Sequence, residues 1–150
     1  MPARSIDTPL GPLTAHEDGG AITRLDWSSG QSDDTPLLQA TEQQLAEYFA
    51  GTRGAFDLPL RIDASVAQQN VCAAMVAIPL GETRTYGDLA RALKLSAQAV
   101  GQLCGGNPIP IIVPCHRILG AAGLGGFSAP GGVEAKVWLL RHEGAAGLLI

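Results

Sequence analysis

Residues 107–118 read Asn107-Pro108-Ile109-Pro110-Ile111-Ile112-Val113-Pro114-Cys115-His116-Arg117-Ile118. Prolines at 108, 110 and 114 fix three φ angles and remove three backbone donors, so this apolar run is not an ordinary helix and holds Cys115 in a preset position. An imidazole follows at once, and Arg117 adds positive charge. Thiolate is the reactive form of cysteine, and cationic neighbours lower its pKa from an unperturbed value of about 8.5. The stretch therefore predicts a nucleophile at Cys115. A buried structural thiol is the competing reading, and Cys-His adjacency alone does not exclude it, because neighbouring side chains on an extended chain point apart.

Working outward toward the N-terminus, Ser96 predicts the cap of a helix through about Leu103 whose residues Ala97, Gln98, Ala99, Val100, Gly101 and Gln102 are small, narrow and uncharged. Thr85 predicts the cap of a preceding helix, Tyr86 to Leu93, with Leu89, Ala90 and Leu93 facing inward. Two short helices joined at Lys94-Leu95, the second of them slim, match a helix-turn-helix that can enter a DNA groove. Before them, Val66, Val71, Cys72, Met75, Val76 and Ile78 form a helical stripe that stops at Pro79-Leu80-Gly81. Toward the C-terminus, a loop with glycines at 120, 123, 125, 126, 131 and 132 can press its backbone against a flat ligand. It lacks a phosphate-loop or dinucleotide signature. Val133, Val137, Trp138, Leu139 and Leu140 then predict an amphipathic helix ending near Arg141-His142-Glu143-Gly144.

Residues 1–63 have another character. Ala21-Ile22-Thr23-Arg24-Leu25-Asp26-Trp27 alternates like a half-buried strand between turn residues, predicting a small antiparallel sheet. Thr41 has the look of an N-cap for a helix carrying Leu45, Tyr48 and Phe49 that ends at Gly51, and residues 52–63 read as an extended link. This half carries four arginines against ten acids, a charge of −6, whereas residues 64–150 carry six basic residues against four acids, a charge of +2. A polyanionic partner is thus expected to meet the second half. The fold expected is α/β in the α+β sense: an N-terminal support domain over 1–63 with an antiparallel sheet and a helix, then a helical, winged-helix-like domain over 64–150 containing the helix-turn-helix.

Three cysteines at 72, 104 and 115 form no close pair, which does not suit a disulfide framework and fits thiols in a reducing compartment. His16 stands in a cysteine-free half and His142 lacks a nearby ligand in sequence, so no structural metal is expected. No apolar run reaches the roughly 18 to 20 residues of a membrane span, and the N-terminus lacks a signal-peptide stretch. Cytoplasmic location is the expectation, with no membrane partner.

The chain resembles the O6-alkylguanine-DNA alkyltransferases, or methylated-DNA–protein-cysteine methyltransferases, over about residues 64–147. Four ordered segments carry the resemblance: Ile78-Pro79-Leu80-Gly81-Glu82-Thr83 with Thr85-Tyr86-Gly87-Asp88-Leu89-Ala90; Ala99-Val100-Gly101; Asn107-Pro108 through Cys115-His116-Arg117-Ile118; and Lys136 with Trp138-Leu139-Leu140 and His142-Glu143-Gly144. The resemblance implies a monomer that consumes no cofactor and moves a methyl or larger alkyl group from O6 of guanine in DNA, or from O4 of thymine, irreversibly onto Cys115. It implies His116 as a proton relay through water, Glu143 as its orienting carboxylate, and Asn107 as a hinge between the helix-turn-helix and the reactive segment. Tyr86 would favour rotation of the nucleotide out of the stack, and the carbonyls of Cys115 and Ile118, with Ser128, would bind the guanine. Arg117, Ala99, Phe127 and Lys136 are further expected contacts to substrate or DNA. One departure stands out: Gln98 occupies the position where the family usually places an intercalating arginine, which predicts weaker extrusion and weaker DNA affinity. Phe127 likewise replaces a frequent tyrosine. Competing readings are a non-catalytic or regulatory protein that binds alkylated DNA, and a Cys-His hydrolase, for which the chain offers no oxyanion motif.

Overall fold

The computed structural model describes residues 1–120, 123 and 131–145. These residues form two compact units, Met1–Asp63 and Ala64–Ile150, and the elements are mixed α and β in both.

In the first unit, β1 (Ala3–Ile6), β2 (Leu13–Asp18) and β3 (Ala21–Asp26) make an antiparallel sheet in sequence order, with a bulge at His16/Glu17. Helix α1 (Pro36–Phe49) lays Leu38, Leu45 and Tyr48 against β1 and β2, where Ala3, Ile6, Leu13 and Ala15 are buried, and Ile22 and Leu25 of β3 are buried as well. The helix starts earlier than the sequence suggests. Thr35 is its N-cap, accepting from the Leu38 amide at 3.1 Å, and Pro36 opens the first turn, where its missing N–H costs nothing. Thr41 lies inside the helix, fully buried, and its hydroxyl donates to the Leu37 carbonyl at 2.8 Å. The expected link after α1 also does more than connect. Ile22 donates to the Pro59 carbonyl at 2.8 Å and accepts from the Arg61 amide at 3.0 Å, so this segment bridges the free edge of β3.

In the second unit, α2 (Val66–Val76) is capped by Ser65 and buries Val71, Cys72 and Met75. Two members of the predicted stripe face water instead, Val66 at 70% exposure and Val76 at 51%, because they sit at the two ends of the helix; Gln68 takes a place on the inner face. A two-residue parallel ladder joins β4 (Arg84–Thr85) to β5 (Ile118–Leu119). Helix α3 (Tyr86–Leu93) opens on a capping box in which Thr85 Oγ1 accepts from the Asp88 amide at 3.0 Å and Asp88 accepts from the Thr85 amide at 2.8 Å. Lys94 turns the chain in a left-handed conformation, φ 57°, and Ser96 caps α4 (Ala97–Gly105). Gln68 fastens α2 to the far end of α4 by donating to the Leu103 carbonyl at 2.8 Å. Finally, α5 (Val133–His142) buries Ala135, Lys136, Leu139 and Leu140. Among the described residues no helix is long and apolar enough to cross a membrane.

Candidate active site

The proline-bracketed segment folds into two tight turns in series. Ile112 donates to the Pro110 carbonyl at 2.9 Å, a three-residue turn centred on Ile111 at φ 72°. Cys115 donates to the Val113 carbonyl at 2.8 Å around Pro114, at φ −82° and ψ 69°. Left-handed φ at a β-branched residue costs of order 1–3 kcal/mol and persists only where its surroundings enforce it. Here they do: Ile109, Ile111, Ile112 and Val113 are buried. The Asn107 amide donates to the Val113 carbonyl at 2.8 Å while its oxygen accepts from the Ile109 amide at 3.0 Å. Asn107 follows the Gly106 cap of α4, so it ties the end of the helix-turn-helix to the turn that carries Cys115.

Cys115, His116 and Arg117 occupy one 3₁₀ turn. That geometry turns consecutive side chains to different surroundings, so the Cys115 residue is half-buried while His116 is wholly enclosed. The imidazole Nε2 lies 2.5 Å from Glu143 Oε2, with both side chains inaccessible to water. Glu143 stands immediately after α5, and its amide continues the helix by donating to the Leu139 carbonyl.

Arg117 departs from expectation. Its guanidinium faces inward, with Nε donating to Glu143 Oε1 at 2.8 Å, Nη2 to Oε2 at 3.1 Å and Nη1 to the Ile78 carbonyl at 2.6 Å. A side chain 7% exposed and held on three acceptors is not a DNA contact. Lys136, expected from the resemblance to contact substrate or DNA, is completely buried, and Nζ donates to the Ile118 carbonyl at 2.6 Å.

These placements revise the electrostatics of the thiol. Burial pushes the Cys115 pKa up, opposed by a hydrogen bond from the Asn107 side chain and by the charge of Lys136. The expected lowering by Arg117 does not arise, since that charge is matched by Glu143. Burial draws Lys136 from 10.5 down to about 8, against the pull of the Cys115 and Cys104 thiols. It also depresses His116 below 6.5, with Glu143 acting in the opposite sense and Arg117 and Lys136 reinforcing the fall. Both shifts favour the neutral forms, a thiol at Cys115 and an uncharged imidazole at His116, its neighbour in sequence. Cys104, buried on α4 against Met75 Sδ at 3.7 Å, is pushed up to about 12 by burial and is inert by comparison.

Tyr86 opens α3, and burial followed by the Cys104 and Cys115 charges raises its phenol pKa, which places it in the same electrostatic neighbourhood. Gln98 and Ala99 lie in the first turn of α4, Gln98 exposed and Ala99 half-buried. Ile118 is wholly enclosed, and its carbonyl is the one that accepts from Lys136 Nζ. Phe127 and Ser128 lie outside the described residues. A cleft of about 630 Å³ runs along α5, lined by Val133, Glu134, Val137, Trp138, Arg141 and His142, and contains none of the reactive groups. Among the described residues no cluster of His, Cys, Asp and Glu could hold a metal ion. The sequence reading missed the Ile78–Gly81 turn as part of the site. Its signal was Gly81, held at φ 84° with the Glu143 carbonyl 3.5 Å from where a β-carbon would stand.

Residues 66–145 match the family model for the 6-O-methylguanine DNA methyltransferase DNA binding domain, and residues 2–62 match that family's ribonuclease-like domain. The chain belongs to the 6-O-methylguanine DNA methyltransferase family. Among its relatives, the methylated-DNA–protein-cysteine methyltransferase of Mycobacterium tuberculosis is 40% identical over 151 residues, 93% of this chain and 90% of the relative. The constitutive methylated-DNA–protein-cysteine methyltransferase of Bacillus subtilis is 41% identical over 154 residues, 93% of each. The crystal structure of the M. tuberculosis O6-methylguanine methyltransferase superposes with a TM-score of 0.84 at 36% identity, covering 99% of this chain and 96% of that one. The same methyltransferase in complex with DNA gives 0.85 at 38% identity and the same coverage. The family resemblance read from four short segments therefore extends over both units of this methyltransferase fold.

Proposed function

We propose that the protein repairs DNA by direct, irreversible transfer of a methyl or other alkyl group from O6 of guanine to its own Cys115. In this reaction Cys115 Sγ forms a bond to the alkyl carbon as the bond from that carbon to O6 breaks. The thiol proton passes through water to His116 and the departing guanine gains a proton in exchange, so the products are a thioether and normal guanine. With the Nε2 hydrogen directed at Glu143, the basic nitrogen of that imidazole tautomer is Nδ1, which defines the receiving atom. Asn107 holds the turn that aims the sulfur, and Lys136 supplies the positive charge opposite the developing thiolate.

Residues 64–150 carry both the chemistry and the DNA grip, with residues 1–63 as a support domain. Tyr86 crowds the phosphate and meets the rotated base, Gln98 fills the gap the base leaves, and Ala99 lies along the groove. The carbonyls of Cys115 and Ile118 accept from the guanine amine on their second lone pairs, Ser128 donates toward O6, and Phe127 is a further contact to the substrate. The protein acts as a monomer in the cytoplasm, and O4-alkylthymine is the secondary substrate. The observation that carries this reading is a half-buried Cys115 adjacent in sequence to a buried imidazole clamped by a carboxylate; a protein that only sensed alkylated DNA would need neither group.

Incubation with a duplex containing one O6-methylguanine tests it. Peptide mass spectrometry is expected to find one added methyl on Cys115 and none on Cys72 or Cys104, with Cys115→Ala silent. Transfer by Cys115→Ala, or DNA binding by the parent protein without any mass change, would overturn the proposal.

A further inference from the structure

We propose that Arg117 is the positioning residue of the proton relay: by gripping both oxygens of Glu143 it holds that carboxylate anionic and aimed at His116, leaving His116 neutral and in one tautomer to receive the Cys115 proton. The inference rests on the alkyl-transfer reading and adds to it a residue the sequence had assigned to DNA.

The geometry leaves little room for another role. Two of the three guanidinium nitrogens contact Glu143, at 2.8 and 3.1 Å, and the third donates to the Ile78 carbonyl at 2.6 Å. Guanidinium is planar and permanently charged, and only such a fork can satisfy two carboxylate oxygens and a backbone carbonyl together. The turn after α2 braces both partners, because Ile78 receives Arg117 while Gly81, at φ 84°, abuts the Glu143 carbonyl. That accounts for the Ile78-Pro79-Leu80-Gly81 segment, which has no chemical group of its own.

Charge balance gives the arrangement its consequence. The described groups acting on His116 are Glu143, Arg117 and Lys136 from α5; Lys136 also acts on the Cys115 thiol of the same turn, as does the Cys72 thiol of α2. Arg117 balances Glu143, which leaves the Lys136 charge to balance a Cys115 thiolate. Without Arg117, the carboxylate draws its compensating proton onto the imidazole or onto itself. Either way the relay is occupied at a pH where it must be open.

The test is the pH profile of single-turnover methyl transfer to Cys115, measured on the full chain with an O6-methylguanine duplex. The parent protein must transfer; if it does not, the alkyl-transfer reading fails before this one is reached. Arg117→Met is expected to move the acid limb upward by roughly one to three pH units, the effect of losing a charge within a few ångströms, with rates converging on the parent's at alkaline pH. Arg117→Lys, which keeps the charge and loses the fork, is expected to move it less. A uniform loss with an unmoved midpoint in both variants overturns the proposal, since that is what a packing role alone predicts. Should Arg117→Met fail to fold, Arg117→Met/Glu143→Gln removes opposite charges together. Its acid limb is expected to stay unraised at a reduced rate, and a limb raised as far with Glu143 gone would show that Arg117 does not act through the carboxylate.

Discussion

Charged side chains are used in opposite ways by the two units of this protein. In Met1–Asp63 the ion pairs are partly in water: Arg4 with Glu42 at 27% and 40% exposure, Arg53 with Glu47, and Arg61 between Asp18 and Asp63. The second unit has surface pairs of the same kind, Arg84–Glu82 and Arg91–Asp88, but it also encloses His116, Glu143 and Arg117 at exposures of 0%, 0% and 7%. What separates the two sets is solvent rather than residue type. Water screens the first set, so its loss barely registers. Bulk solvent does not screen the second, so each member depends on the others, and the same dependence lets the cluster steer a proton.

Deleting one acid from each region breaks the comparison most directly. Glu143→Ala leaves a guanidinium buried without its carboxylate, a change that costs about 3–5 kcal/mol. Chemical denaturation of the full chain is expected to show that loss together with collapse of methyl transfer. Glu42→Ala is expected to leave both the denaturation midpoint and transfer almost unmoved. Comparable losses from the two variants would mean that burial is not what distinguishes them.

This contrast also explains which parts of the molecule were legible in the sequence. Helices α3 and α4 could be read closely because Thr85 and Ser96 act within three residues of themselves, and a local rule suffices. The start of α1 misled because Thr41 and Gln44 have the spacing of a capping box, whereas Thr35 with Pro36 is the true start. Proline spacing correctly excluded an α-helix around Cys115, where the chain makes only a single 3₁₀ turn, but the left-handed turn at Ile111 follows from tertiary packing and leaves no mark in residue type. Arg117 and Lys136 were the hardest to place. Basic residues are ordinarily exposed, and only the fold reveals that a carboxylate and a carbonyl wait for them inside.

Lys136 sharpens the comparison at the thiol. Its charge is one of three influences that oppose the rise of the Cys115 pKa, and burial has lowered its own pKa to about 8. Lys136→Met is expected to slow alkylation of Cys115 by iodoacetamide near neutral pH by about tenfold, the consequence of a rise of about one unit in thiol pKa. An unchanged rate would remove Lys136 from the thiol's environment and leave it the single task of holding the Ile118 carbonyl.

Gln98 tests the exposed side of the same unit. It sits in the first turn of α4 with no fixed charge, and Gln98→Arg adds a planar cation that stacks on bases. An exposed cation–π contact is worth about 0.5–1 kcal/mol, so DNA affinity is expected to rise by roughly two- to fivefold and the salt dependence of binding to steepen by about one phosphate contact. Methyl transfer is expected to quicken at subsaturating protein. No gain in either measurement would show that glutamine already does what arginine does at this position.

The smallest effect is the most specific to the buried cluster. In the unfolded chain the imidazole of His116 takes a proton near 6.5, whereas in the folded protein burial lowers that value. Between the two values the unfolded state binds more proton than the folded one, so stability falls as pH drops through that window. Well above 6.5 both states are neutral at this residue and its contribution to the slope vanishes. Denaturation midpoints measured through the window are expected to decline in the parent protein and to decline less in His116→Gln. An equal decline in both would assign the acid sensitivity to carboxylates elsewhere, and the surface pairs of the first unit would then matter more than the comparison allows.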